Sequence, residues 1–161
     1  MVQGRGSTRD RLTEPHFDKT YREKRKLPEP TVCQDCGAVY TKGRWSWGSA
    51  PENAHRALCP ACIRMHDNDP AGYIGLDGPF MREHRDEITS LARHIETREM
   101  ADHPHKRIMA IKVGDDGDLL ITTTDTHLAW SIGEAIEHAY HGELNHRVAE
   151  NPKVLHVTWT R

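Results

Sequence analysis

Bulky aromatic residues are scarce in this chain, which holds two phenylalanines, four tryptophans and four tyrosines among 161 residues. Hydrophobic residues make up 36% and charged residues 29%, so the core is modest and the surface highly charged. No apolar run approaches the ~20 residues that a membrane-spanning helix needs. The N-terminus is polar from its first residues, without the apolar core of a signal peptide. A cytoplasmic protein with no membrane partner is the expectation. A large excess of one charge sign is lacking too: the formal net charge of −2 argues against a general nucleic-acid sponge. A Walker loop, a dinucleotide fingerprint and a nucleophile elbow are all missing. Neither a nucleotide cofactor nor an enzymatic activity is therefore expected.

Cysteine is sparse but organised. The chain has four, Cys33 and Cys36 in CQDC and Cys59 and Cys62 in CPAC. A tetrahedral Zn²⁺ takes four soft ligands at about 2.3 Å, and two residues between thiolates let a tight knuckle aim both sulfurs at one ion. Gly37 follows the first pair, where a knuckle needs positive φ, and Pro60 stiffens the second. The spacing matches the four-cysteine zinc pattern. A disulfide pairing is disfavoured because intracellular thiols stay reduced. A thioredoxin-like dithiol needs one CxxC opening a helix, whereas here two are found, both in sequence that reads as turn. His55 and His66 are near enough to serve as ligands, but four cysteines already fill the shell. The expectation is one closed, structural Zn²⁺ site with no open position for water.

Three regions follow from composition. Residues 1–30 carry eight Lys/Arg against five Asp/Glu and read as a basic extended or disordered arm. Within it Arg22, Lys24, Arg25 and Lys26 form a cationic cluster suited to RNA phosphates. Residues 31–70 are the zinc ribbon, with a short hairpin turning at Lys42-Gly43 and a loop from Gly48 to Asn53. Trp45 and Trp47 would share one face of it. They are either the ribbon's core or, beside Arg44, a stacking platform for an unpaired base.

Residues 71–161 read as an α/β module. From Pro79, Met81, Ile88, Leu91 and Ile95 fall on one helical stripe. RIMAIKV and DLLITTT then form a hairpin across Gly114-Asp115-Asp116-Gly117. This GxxG is not the nucleic-acid clamp of a KH domain, because its aspartates repel phosphate and its flanks are strands. A second helix, capped by Thr124 or Asp125, buries Leu128, Ile132, Ala135, Ile136 and Ala139. A last hairpin turns at Asn151-Pro152. The order α-ββ-α-ββ suggests an α+β module with a permuted ferredoxin-like layout. That layout is an antiparallel four-stranded sheet with two helices on one face. Strand 153–160 would lie between 143–149 and 118–124, leaving an open face that suits RNA or protein. His138 and His141, with Glu134 and Glu137, are better explained by exposed helical pairing than by a second metal. The run Thr122–His127 is explained by strand propensity and capping rather than by a nucleophile.

CQDCGAVYTKGRWSW, CPAC, PAGYIGLDGPF, HRDEI, and ITTTDTHLAWSIGEA with YHGEL together resemble a family of small bacterial zinc-ribbon proteins. The likeness covers roughly residues 17 to 161 and implies no particular activity. More distantly, the ribbon with its C-terminal module is similar to the archaeal and eukaryotic adaptor family that accompanies the large ribosomal subunit in export. That family usually carries two zinc sites, and this chain has cysteines for one. The resemblance implies ribosomal or other structured RNA as partner. The expected function is a non-enzymatic zinc-ribbon adaptor for structured RNA on the ribosome. The alternative is a protein–protein interaction module that uses the ribbon and the open sheet face.

Overall fold

The computed structural model describes residues 26–150 and 152–161. Arg22, Lys24 and Arg25, with most of the arm, therefore lie outside the described residues, as does Asn151 of the last turn. Two sheets organise the rest. The first is small, built from β1 (Thr31–Cys33), β2 (Val39–Thr41), β3 (Arg44–Ser46) and β4 (His55–Ala57) in the order β3-β2-β1-β4. Lys42 and Gly43 take positive φ of 53° and 76°, the geometry of the tight turn that joins twisted strands. The Glu29 carboxylate accepts both of their backbone N–H groups, at 3.2 and 2.9 Å. Strand β4 pairs parallel to β1, beyond the sequence reading, which ended its ribbon strands at the hairpin. Helix α1 (Pro60–Asp67) follows directly.

The second sheet has five strands rather than four. They are β5 (Gly72–Asp77), β6 (Ile108–Val113), β7 (Leu119–Thr123), β8 (Glu143–Ala149) and β9 (Val154–Thr160), in the order β6-β7-β5-β9-β8. This corrects the expected layout. Strand β9 does pair with β8, but its other neighbour is β5, in parallel register from Gly72↔Leu155 to Asp77↔Thr160. Strand β7 pairs with the opposite edge of β5. The sheet is thus mixed, and no strand has been moved from the front of the module to its end. The first strand is in place, and the final hairpin adds a fifth.

Strand β5 is hard to see in sequence because glycines occupy two of its six positions, and glycine is depleted in strands. Its alternation survives in the burial, with Ile74 and Leu76 inward and fully covered. Gly72 faces inward as well. A Cβ there would stand 2.5 Å from the Ala129 Cβ and 2.4 Å from the Thr123 Oγ1, so helix packing excludes any side chain. Gly75 faces outward, and a Cβ there would meet nothing nearer than 3.9 Å.

All helices of the second unit lie on one face of the sheet. They are α2 (Pro79–Glu83), α3 (Arg85–Met100) and α4 (Thr126–Tyr140). The stripe read as one helix from Pro79 is broken at His84, whose ring stacks on Phe80 at 3.9 Å and bonds its carbonyl. Met81, Ile88 and Ile95 are buried as the stripe requires, with Ala92 in place of the half-buried Leu91. Asp125 caps α4 by accepting the Leu128 N–H at 2.8 Å. These helices close one core with Leu119, Ile121, Val157 and Trp159 from the sheet. The Gly114–Gly117 turn is tied down by Arg82 and Arg85, which donate to the carbonyls of Asp116 and Gly117.

The two glycines of β5 give a paired test. Gly72→Val should destabilise by about 1–3 kcal/mol or more through overpacking, whereas Gly75→Val should stay within about 0.5 kcal/mol of the parent. Urea unfolding of both variants measures the contrast.

Candidate metal centre

The two cysteine pairs reach one point by different routes. Cys33 ends β1, and its carbonyl accepts the Gly37 N–H at 2.9 Å while its own N–H donates to Ala38. Gly37, at φ 81°, closes this knuckle. The second pair is not in a turn, as its proline and its neighbours suggested. Cys59 is the N-cap of α1, with Pro60 in the first turn, and its sulfur accepts the Cys62 N–H at 3.4 Å. A CxxC opening a helix is the geometry of a redox dithiol, so local structure alone does not separate the two chemistries.

Convergence does. The four Sγ atoms all lie within 4.8 Å of one another, and Cys36 and Cys59 stand 3.8 Å apart. Ligands at about 2.3 Å from a tetrahedral ion are separated by about 3.8 Å, whereas a disulfide needs about 2.05 Å. All four cysteines are free. The donor set fits a soft divalent metal held by Cys33, Cys36, Cys59 and Cys62. No other group of three potential ligands converges among the described residues. His66 stands aside, bonded through Nε2 to Asp35 at 2.5 Å, and that carboxylate raises its pKa. His138 and His141 assemble no site.

Around the sulfurs there is little else to bury: the local core is the cysteines with Ala38 and Ala61, flanked by Trp45 and Leu58. A bound metal would supply the stability that such a core lacks. The residue that sequence reasoning missed is Arg107, just before β6 and 45 residues beyond Cys62. Its guanidinium donates to the sulfurs of Cys62 at 3.3 Å and Cys59 at 3.6 Å. Nε donates to the Pro104 carbonyl at 2.9 Å, and the backbone N–H to Thr124 Oγ1 at 2.9 Å. Nothing local in the sequence marks it, since an arginine opening a strand is ordinary. Only the docking of one sheet's end against the other creates the contact.

The metal-free thiols are unequal. Burial pushes Cys59 up, reinforced by the neighbouring thiolates. Burial likewise raises Cys62 to about 11, against the pull of Arg107. Burial also opposes ionisation of Cys33, but the N–H groups of Cys36, Cys59 and Asp35 outweigh it and bring that thiol to about 7.

The other predicted contact residues separate. Arg44 is exposed at the start of β3. Trp45 packs against the cysteine core and lies 5.5 Å from Tyr40, ring to ring. Trp47 is 41% exposed, and its indole N–H donates to the Met100 carbonyl at 2.7 Å. The two indoles therefore have different roles: Trp45 belongs to the ribbon's core, and Trp47 ties the ribbon to the end of α3. Lys26 is exposed, and Leu27 beside it lines a cavity of about 580 Å³ together with Arg44 and Trp45. On the other side of Arg44 and Trp45, a second cleft of about 540 Å³ opens toward Arg64, His103 and His105.

Cys59→Ser should abolish stoichiometric metal binding while leaving the far-ultraviolet signature of the five-stranded unit in place, read by elemental analysis and circular dichroism. Arg107→Ala should weaken metal affinity about 10–100-fold, as loss of an outer partner does, measured by chelator competition. Because Cys59 and Cys62 are protonated in the metal-free protein at neutral pH, binding releases protons. Affinity should thus rise with pH, by up to about tenfold per released proton per pH unit, and titrations at pH 6 and pH 8 check the sign. No family model, curated protein or solved structure matches this chain.

Proposed function

We propose that the protein is a non-enzymatic adaptor whose zinc ribbon holds structured RNA, on the ribosome in particular. Four thiolates around one point suit Zn²⁺ over harder ions, and a filled sulfur shell leaves the metal a structural role. The observation that carries the RNA reading is the position of Arg44 and Trp45 between two cavities. One cavity includes Leu27, where the basic arm joins the ribbon. The other adds Arg64, His103 and His105, with Asp102 as the only acid among the described residues that line it. Arg64 is held by Asp69 at 3.1 Å, which leaves Arg44 as the exposed cation at the rim. The arm charges Arg22, Lys24, Arg25 and Lys26 would continue that surface and neutralise phosphates. Trp45 packs on the cysteine core with one part of its indole, and the part that lines both cavities would meet an unpaired base.

Co-sedimentation of the metal-loaded protein with ribosomes at low and high salt tests this. Binding should be lost at high salt. Each phosphate contact removed, by Arg44→Glu or by replacing the four arm cations, should lower the salt slope by about 0.7–0.9. Arg44 is the cleaner probe, because Trp45 also supports the metal core. Unchanged binding after removal of all five charges would leave docking to a protein partner as the better reading.

A further inference from the structure

The helix-free face of the five-stranded sheet carries features that the ribbon surface does not explain. Alternation along the strands sends Tyr73 and Gly75 of β5, His156 and Thr158 of β9, and Leu120 of β7 to this face. Tyr73 and His156 are register partners on adjacent parallel strands. Their rings stack at 4.9 Å with planes 7° apart. Across β9, His156 pairs with Arg147; across β7, Leu120 pairs with Lys112. The missing side chain at Gly75 leaves a depression next to the ring pair, in a groove of about 340 Å³ bounded by Leu120, Asn145 and Arg147. That volume lies within the range of small-ligand sites.

We propose that this groove is a second binding site, one that takes an unpaired base of single-stranded RNA. The base would extend the Tyr73–His156 stack over the floor at Gly75, with Arg147 at the groove meeting an adjacent phosphate and Lys112, on the opposite edge strand, one further along the chain. Charge selects this occupant. Lys112 and Arg147 are exposed, and among the described residues no ion pair engages either. Of the acids on this face, Asp77 is engaged by Arg82 at 2.6 Å and Glu143 by the Asn145 amide at 3.3 Å, while the Asp118 carboxylate lies against Gly114 at the hairpin end, outside the groove. An anionic ligand with a flat ring matches two free cations beside stacked rings. Planar stacking tolerates any base, and Asn145 and Thr158 supply polar groups at the groove's rim. The choice of polymer rests on the RNA reading above, but the residues are separate from Arg44 and the arm.

Fluorescence anisotropy of the full, metal-loaded chain with labelled 12-nucleotide oligouridine and oligoadenosine tests the proposal. Tyr73→Ala should weaken binding about 5- to 150-fold, the loss expected for one stacked base, while Tyr73→Phe keeps affinity within about twofold. Gly75→Glu is the decisive variant. The position has room for a side chain, so the protein should fold and hold metal while a carboxylate occupies the groove, and binding should fall at least about tenfold. Unchanged affinity in Gly75→Glu overturns the proposal. If Arg44→Glu weakens binding and Gly75→Glu does not, RNA binds at the ribbon alone, and the earlier reading survives without this one. Failure of the parent protein to bind any RNA removes both. Equal binding of polyglutamate would make the occupant an acidic peptide, and binding seen only after deletion of residues 1–25 would make it the protein's own arm. Either result overturns the assignment.

Discussion

The guanidinium of Arg107, just ahead of β6, rests against the sulfurs of Cys59 and Cys62 at the start of α1, and much of the architecture turns on that contact. Four thiolates around a divalent ion would carry a net charge of −2, and Arg107, at 3.3 and 3.6 Å from two of the sulfurs, would neutralise part of it. Such charge-assisted bonds are stronger than neutral ones, and breaking the contact from either side leaves a half-buried charge without its counterpart. The arginine is itself fixed by Pro104 and Thr124. The orientation of the ribbon is therefore specified by groups that belong to the five-stranded unit.

Two further links act in the same place. Trp47 donates to the carbonyl at the end of α3, satisfying one of the acceptors that every helix terminus leaves open. Ala71, between the units, donates to Thr123 and accepts from Leu155, so the connecting chain enters the second sheet already hydrogen-bonded on both sides. The ribbon has a core of cysteine and alanine and the second unit one of Ile, Leu, Val and a buried Trp159. The first would rely on a bound metal and the second on apolar burial, and the junction ties the two together.

Placing every helix on one side of the mixed sheet has a consequence for recognition. The other side retains the alternate residues of five strands, and their side chains are available for contact. This face and the rim of the ribbon each combine aromatic rings with unpaired cations, although the formal net charge of the whole chain is −2. The acids that produce that balance are spent in part on local pairs, such as Asp77 with Arg82 and Glu99 with Lys106. Uneven placement of charge, rather than its total, decides which surfaces attract an anion.

What the sequence determined by itself were the features encoded over a few residues. Cysteine spacing picked out the four thiols that converge, Lys42-Gly43 the hairpin turn, Thr124 or Asp125 the helix cap, of which Asp125 serves, and the apolar stripes most of the buried helix positions. Each is local, because thiol chemistry, turn dihedrals and helical periodicity act within about one turn of chain. Tertiary structure decided the rest. Strand β5 became a central strand because Ile74 and Leu76 found helices to cover them, while its glycines hid the alternation from view. The partner of β9 followed from that strand, since β5 claimed the edge that β7 would otherwise have filled. The second CxxC became a helix start because the Cys59 sulfur caps Cys62. Arg107 acquired its role only when two sheets met, across a separation in sequence that no local pattern spans.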